Sequence, residues 1–257
     1  MNILSSQLPS EGFGYPFAAI NIKPMTFLDV VEYLESVPKD PLSKYLYDIN
    51  WLVADDPNIK KCYIMDIDYL RFMKKLTTVS PDLSMEITVT CPDCGKTLKK
   101  KLRIVDIMFK TADPIVMNGA VVKLNGRTYS VTPPTVEEFH KVFQKYLKFR
   151  KVSNLDLIKL IALIDDFYDR PNEVEDAVLS ATHDDITALL ALKDLYFNRV
   201  EPVKMYCDIC NNGLKKEERR ELTVSIDELI VDFFREITIN NQLDEDKIQF
   251  KQVLQAR

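Results

Sequence analysis

The sequence predicts an α+β fold, mostly helical, in which two similar helical halves each carry a β-hairpin tipped by a C-x-x-C pair. Apolar residues recur at helical spacing over most of the 257 residues, short alternating segments surround the cysteine pairs and an Asn-Gly turn, and the order of these features repeats. With 46% hydrophobic residues, 28% charged and only 6 Gly, the composition is that of an ordinary globular chain long enough to bury a sizeable core.

The first half opens with "LPSEGFGYPFAAINI", read as an irregular hairpin with a long turn. Pro24-Met25-Thr26 then starts a helix. The Thr26 hydroxyl is a good N-cap, Asp29 sits near the positive end of the dipole, and Phe27, Val30, Val31 and Leu34 make one apolar face. Helices near Pro41–Val53 and Asp66–Thr77 follow, and then "TVTCPDCGKTLKKKLRI", a hairpin turning at Cys91 and Cys94.

The second half repeats the series. In "AVVKLNGRTYSV", Asn125-Gly126 suits a type I′ turn between alternating strands. Pro133-Pro134-Thr135 opens a helix with Glu137 and Glu138 in its first turn and Val136, Phe139, Val142, Phe143, Tyr146 and Leu147 on its apolar face. Helices near Asn154–Phe167 and Asp184–Asn198 come next, and "KMYCDICNNGLKK" presents Cys207 and Cys210 before the strand-like "RRELTVSI". Pro24 matches Pro133 at an offset of 109 and Cys91 matches Cys207 at 116, so the halves differ by seven residues. These matches predict an old tandem duplication with repeats at 1–110 and 111–238 and a tail at 239–257. The tail, "NNQLDEDKIQFKQVLQAR", has scattered apolar positions suited to a helix formed in a complex.

Five cysteines, four of them in C-x-x-C pairs, argue for metal or redox chemistry in a reducing compartment. Tetrahedral zinc takes four thiolates, and two knuckles supply them: Cys91, Cys94, Cys207 and Cys210. A single structural zinc would then clamp corresponding hairpins of the two repeats, though 112 residues lie between Cys94 and Cys207. Two empty half-sites, or a site completed by another chain, are the alternatives. A thioredoxin-like redox pair is a third, but it opens a helix, whereas strand-like segments follow both pairs here. Cys62 reads as a small buried hydrophobe.

No catalytic constellation emerges. His140 and His183 have no nucleophile motif beside them, and no phosphate-cradling glycine loop is present. Asp55-Asp56, Asp165-Asp166 and Asp184-Asp185 sit at helix ends and read as caps. Trp51, Tyr45 and Tyr47 sit at helical spacing and read as core or partner-helix contacts, not as a ligand box. A net charge of −5, from 34 Lys+Arg against 39 Asp+Glu, gives no general field for nucleic acid. The basic runs Lys99–Lys101 with Arg103, and Lys215-Lys216 with Arg219-Arg220, keep a zinc-ribbon nucleic-acid-binding regulator as an alternative. No apolar run is long enough to span a bilayer and no leader pattern opens the chain, so a chain made in the cytoplasm with no membrane partner is expected.

Leu8, Pro9, Ser10, Gly12 and Tyr15, then Pro24, Thr26 and Asp29, and later Cys91, Pro92, Cys94 and Gly95 form a series that resembles the baseplate proteins of T-even-type contractile-tailed phages. That family begins with an L-P-S-x-G-x-x-Y segment, continues with a P-[LM]-T-x-x-[DE] helix start and carries a "CPxCG" knuckle. The resemblance covers roughly the first 110 residues. The second knuckle departs from it, with Asn211 where the first has Gly95. It implies a non-enzymatic structural component of a phage tail baseplate hub, residing in the virion, with other baseplate and tail proteins as partners and no small-molecule substrate. A baseplate or tail assembly chaperone absent from the mature virion is the alternative within the class.

Overall fold

The computed structural model describes residues 1–77, 84–149, 155–197, 199–213 and 221–224. Their order is β1 (Asn2–Leu4), β2 (Ala19–Asn21), α1 (Phe27–Ser36), α2 (Pro41–Asp55), α3 (Ile64–Leu76), β3 (Ser84–Thr90), β4 (Thr97–Arg103), α4 (Pro114–Met117), β5 (Ala120–Leu124), β6 (Arg127–Val131), α5 (Val136–Phe149), α6 (Leu155–Ala162), α7 (Pro171–Leu179), α8 (His183–Phe197), β7 (Val203–Tyr206) and β8 (Glu221–Val224). Short 3₁₀ turns precede α3 at Pro57–Lys61 and α7 at Asp165–Phe167. The strands pair as four antiparallel two-stranded sheets, β1–β2, β3–β4, β5–β6 and β7–β8. The α+β expectation holds. Lys215, Lys216, Arg219, Arg220, the segment after Val224 and the expected tail at 239–257 lie outside the described residues.

The chain divides into two compact units, and each draws on both expected repeats. One comprises Met1–Pro24, Glu35–Lys74 and Lys110–Arg199; the other comprises Met25–Leu34, Lys75–Phe109 and the described residues from Val200 onward.

The first unit holds a continuous apolar core. Ile3, Leu8 and Ile20 from the β1–β2 region, Ile49 and Leu52 of α2, Ile67 and Leu70 of α3, Val136, Phe139 and Val142 of α5 and Ile161 of α6 are all buried in it. Local chemistry sets the boundaries. Asp40 caps α2 by accepting from Ser43 N–H at 2.8 Å, with Pro41 at the first helical position. Thr135 and Glu138 form a reciprocal capping box on α5: Glu138 accepts from Thr135 N–H at 2.8 Å, and the Thr135 hydroxyl accepts from Glu138 N–H at 3.3 Å. Asn125 and Gly126 both have positive φ, at 52° and 81°, as a type I′ turn between β5 and β6 requires.

The L-P-S-x-G-x-x-Y segment docks on α3 through one carboxylate. Asp66, fully buried in the first turn of α3, accepts from Ser10 N–H at 2.8 Å, from the Ser10 hydroxyl at 2.7 Å and from the Tyr15 hydroxyl, which itself accepts from Tyr63 N–H. Burial pushes the Asp66 carboxyl up to about 6, against the opposing pull of the Tyr15 and Ser10 donors and the Arg199 charge. Because the folded value lies above the unfolded one, this group's contribution to stability is full below about pH 4 and is lost as pH rises through about 6, a change of about 3 kcal/mol. Urea unfolding at pH 4.5 and 7, flanking about 6, is therefore expected to show a stability difference that Asp66→Asn reduces. An identical pH dependence in wild type and variant would refute this assignment.

Gly12 explains another position of the motif. Its φ is +71°, and a Cβ built there would stand 2.7 Å from Cβ of Ser5. Gly12→Ala is expected to destabilise the fold by at least about 1–2 kcal/mol through the left-handed backbone alone, with the steric contact adding to it. Denaturant melts of the variant check this.

The second unit has α1 and two hairpins. Asp29 accepts from Thr26 N–H at 2.6 Å and the Thr26 hydroxyl accepts from Asp29 N–H at 3.2 Å, the same capping box with Asp in place of Glu. Strands β3 and β4 pair over their full length, Ser84↔Arg103 to Thr90↔Thr97. The chain leaving β4 meets the chain leading into β7 through the Phe109↔Val200 bridge and a bond from Glu201 N–H to the Met108 carbonyl at 2.8 Å. That junction sets the two cysteine-bearing hairpins beside each other.

Candidate metal centre

Both cysteine pairs lie at hairpin turns of the same compact unit. In the first, Cys91 N–H donates to the Lys96 carbonyl at 2.8 Å and Gly95 N–H donates to the Cys91 carbonyl at 2.9 Å. Gly95 has φ +71° and open space around it, so glycine serves the backbone angle there and not a close approach. In the second, Asn211 N–H donates to the Cys207 carbonyl at 3.0 Å, the same bond one knuckle over. The buried Asn211 side chain adds a bond from Nδ2 to that carbonyl at 2.8 Å, and the positive φ is supplied two residues later by Gly213 at 78°. The departure from the CPxCG pattern thus leaves the backbone cradle of the first cysteine in place.

The four sulfurs of Cys91, Cys94, Cys207 and Cys210 lie within 4.8 Å of one another. Two pairs run between the hairpins, Cys91 Sγ to Cys210 Sγ at 3.8 Å and Cys94 Sγ to Cys207 Sγ at 3.5 Å. A tetrahedral zinc with bonds of about 2.3 Å separates its sulfurs by roughly 3.8 Å, so the arrangement is of the right size. None of these cysteines is in a disulfide. They could hold a metal ion, and among the described residues they are the group of Cys, His, Asp and Glu side chains that could. Both knuckles run from strand to turn, not from strand to helix as a thioredoxin-type pair does.

The surroundings favour the thiolate at Cys207. The backbone N–H of Cys210 pulls the Cys207 thiol down to about 7, whereas the contact of Cys210 with Cys94 pushes the Cys210 thiol up. Lys96 Nζ, on the first knuckle, is 2.7 Å from both carboxylate oxygens of Asp208 on the second, and its charge faces the Cys94 and Cys207 sulfurs. Lys100 Nζ donates to the Lys204 carbonyl at 2.9 Å, a second tie between the hairpins. Sequence reasoning missed the Lys96–Asp208 link, and its signal is that each residue directly neighbours a knuckle position.

The remaining candidates are placed elsewhere. Cys62 is fully buried in the other unit, its thiol donating to the Asn58 carbonyl at 3.7 Å, as a small hydrophobe with a weak donor. Asp55 binds Lys74 at 2.6 Å and accepts from Lys23 N–H, Asp56 caps the turn at Asn58, Asp165 accepts from the Thr132 hydroxyl, Asp166 pairs with Arg170 at 3.0 Å, and Asp185 accepts from Asn125 N–H at 3.0 Å. Asp184 lies in the first turn of α8. His140 is half-buried on α5, its imidazole held below the usual range by burial and then by Lys60, and His183 begins α8. Lys99 pairs with Glu86 at 2.6 Å and Arg103 with Asp106 at 2.7 Å. Trp51 lies 4.1 Å beneath the Lys74 ammonium, and Tyr45 is buried. No helix among the described residues is long and apolar enough to cross a membrane.

Compared with protein-family models, with curated proteins and with solved structures, the chain matches none.

Proposed function

We propose that this chain is a non-enzymatic structural component of a phage tail baseplate hub, docking to other tail proteins and held together by one structural zinc on Cys91, Cys94, Cys207 and Cys210. The observation that carries the reading is the convergence of four sulfurs from two distant hairpins to within 4.8 Å. A metal so enclosed by thiolates from two turns has the donor set of a structural site, which clamps and does not turn over substrate. When bound it would supply folding free energy to the unit that carries it. The Asp66 clasp and the crowded left-handed Gly12 give the L-P-S-x-G-x-x-Y segment a structural purpose in this fold, in keeping with a structural component.

The duplication belongs to the same reading. Hairpin, two helices, 3₁₀ turn, helix, cysteine hairpin is the order from β1 to β4, with a further 3₁₀ turn at Ser5–Gln7 inside the first hairpin, and the order from β5 to β8 is the same without that turn and with one further helix, α7. That helix of nine residues suits the seven-residue difference in spacing between the repeats. The paired capping boxes at Thr26 and Thr135, and the matching bonds to the Cys91 and Cys207 carbonyls, support repeats at 1–110 and 111–238.

Mass spectrometry of purified tailed particles tests the role. Peptides of this chain present at constant ratio to other tail proteins are expected. Peptides abundant in the producing lysate and lost on particle purification would replace the virion component with an assembly chaperone.

A further inference from the structure

The zinc clamp sits at a place where the same four sulfurs can take a second form. We propose that Cys94–Cys207 and Cys91–Cys210 are a metal-to-disulfide exchange site: on oxidation the two pairs close into disulfides joining hairpin β3–β4 to hairpin β7–β8 as the metal leaves. This rests on the zinc reading above.

The geometry points to these pairings over bonds within each C-x-x-C. The sulfur contacts of 3.5 and 3.8 Å both run across the hairpins, so each needs its sulfurs to approach by less than about 2 Å to reach the disulfide length of about 2.05 Å. Each pair joins a sulfur that an oxidant can reach to one held inside. Cys94 is exposed while Cys207 is 2% exposed; Cys210 is partly exposed while Cys91 is 1% exposed. The Lys96–Asp208 ion pair and the Lys100–Lys204 bond run between the same two hairpins, and the first disulfide to close takes over the metal's tie as the metal leaves, before the hairpins separate.

With a peroxide as oxidant, the Cys94 thiolate attacks one peroxide oxygen, the O–O bond breaks, hydroxide leaves and Cys94 becomes a sulfenic acid. The Cys207 thiolate attacks that sulfur; the S–S bond forms, the S–O bond breaks and a second hydroxide leaves. Cys210 and Cys91 repeat the sequence with a second peroxide. Each disulfide takes two electrons from the sulfurs to one peroxide, and zinc, deprived of its thiolates, departs as the dication. The clamp would therefore persist in both a reducing and an oxidising medium, first as metal and then as covalent bonds.

The experiment uses the full chain as purified, its zinc content measured first, then treated with hydrogen peroxide, alkylated and digested with trypsin without reduction. Cleavage after Lys75 and Lys96 puts Cys91 and Cys94 on one peptide, and cleavage after Lys204 and Lys215 puts Cys207 and Cys210 on another. The expected result is a covalent pair of these two peptides, lighter by four hydrogens than their sum, whose fragmentation joins Cys94 to Cys207 and Cys91 to Cys210, with stoichiometric release of zinc to a chromogenic chelator; Cys94 joined to Cys210 would overturn the pairing. Two separate peptides, each lighter by two hydrogens, would overturn the pairing, as would sulfinic or sulfonic acids with no cross-link. Cross-linking in a chain that held no metal beforehand would overturn the exchange and, separately, the zinc reading.

Discussion

Cys207→Ser, or removal of metal by a strong chelator at neutral pH, is expected to unfold the knuckle-bearing unit while the unit containing Ile49, Phe139 and Ile161 keeps its core. Structural zinc contributes on the order of 10 kcal/mol in small domains, more than the roughly 5–15 kcal/mol stability of a whole domain can spare. Among the described residues of that unit, two two-stranded hairpins, each marginal alone, meet through the Phe109–Val200 bridge and exposed side-chain ties such as Lys96–Asp208, so the metal would be the strongest link between them. Hydrogen exchange read by mass spectrometry should show loss of protection at 84–103 and 203–206 and little change at 42–52 and 136–143. Cys62→Ser serves as the comparison, since it should leave the metal in place. Unchanged protection of both hairpins after metal removal would show that packing alone holds them.

Asp48→Ala is expected to destabilise the first unit by about 3–5 kcal/mol, because it strips the main partner from a buried guanidinium. Asp48 of α2 is 2% exposed and accepts from both Nε and Nη2 of Arg71 on α3, which is itself buried and lies 5.1 Å over the Tyr45 ring. Asp48 is the leading charge that keeps the Arg71 guanidinium above its ordinary range against the desolvation that opposes it. Asp68 retains one bond to Nη1 at 2.8 Å but is more open to solvent, which limits its compensation. Replacing both partners, as Asp48→Leu with Arg71→Met, should recover most of the loss, since no lone charge is then left buried. Urea denaturation of the two variants checks both statements; a double variant as unstable as Asp48→Ala would assign the loss to packing instead of charge.

Features whose cause is local were legible in the sequence. Thr26 and Thr135 announced their helices because an N-cap acts within three residues, and Asn125-Gly126 announced its turn because φ > 0 at two successive positions restricts the residue choice. The four cysteines were legible because tetrahedral thiolate coordination fixes how many ligands must be found. Helix α7 was missed: it is nine residues long, Arg170 supplies no side-chain cap, and its remaining marker is Pro171 at the first helical position. The Asp66 clasp and the Asp48–Arg71 pair were invisible for a different reason. Their partners lie 56, 51 and 23 positions apart, and nothing in local periodicity couples a Ser in a loop to an Asp in a helix. The cross-hairpin pairing of the sulfurs was likewise set by tertiary structure.

Native mass spectrometry of the intact chain, purified without added metal and run beside Cys91→Ser and Cys207→Ser, bears most directly on the metal clamp. The four-cysteine centre predicts one zinc per wild-type chain and its loss in both variants, because each removes one of the four ligands from a different hairpin. A metal-free wild type, or zinc retained in full by either variant, would contradict it.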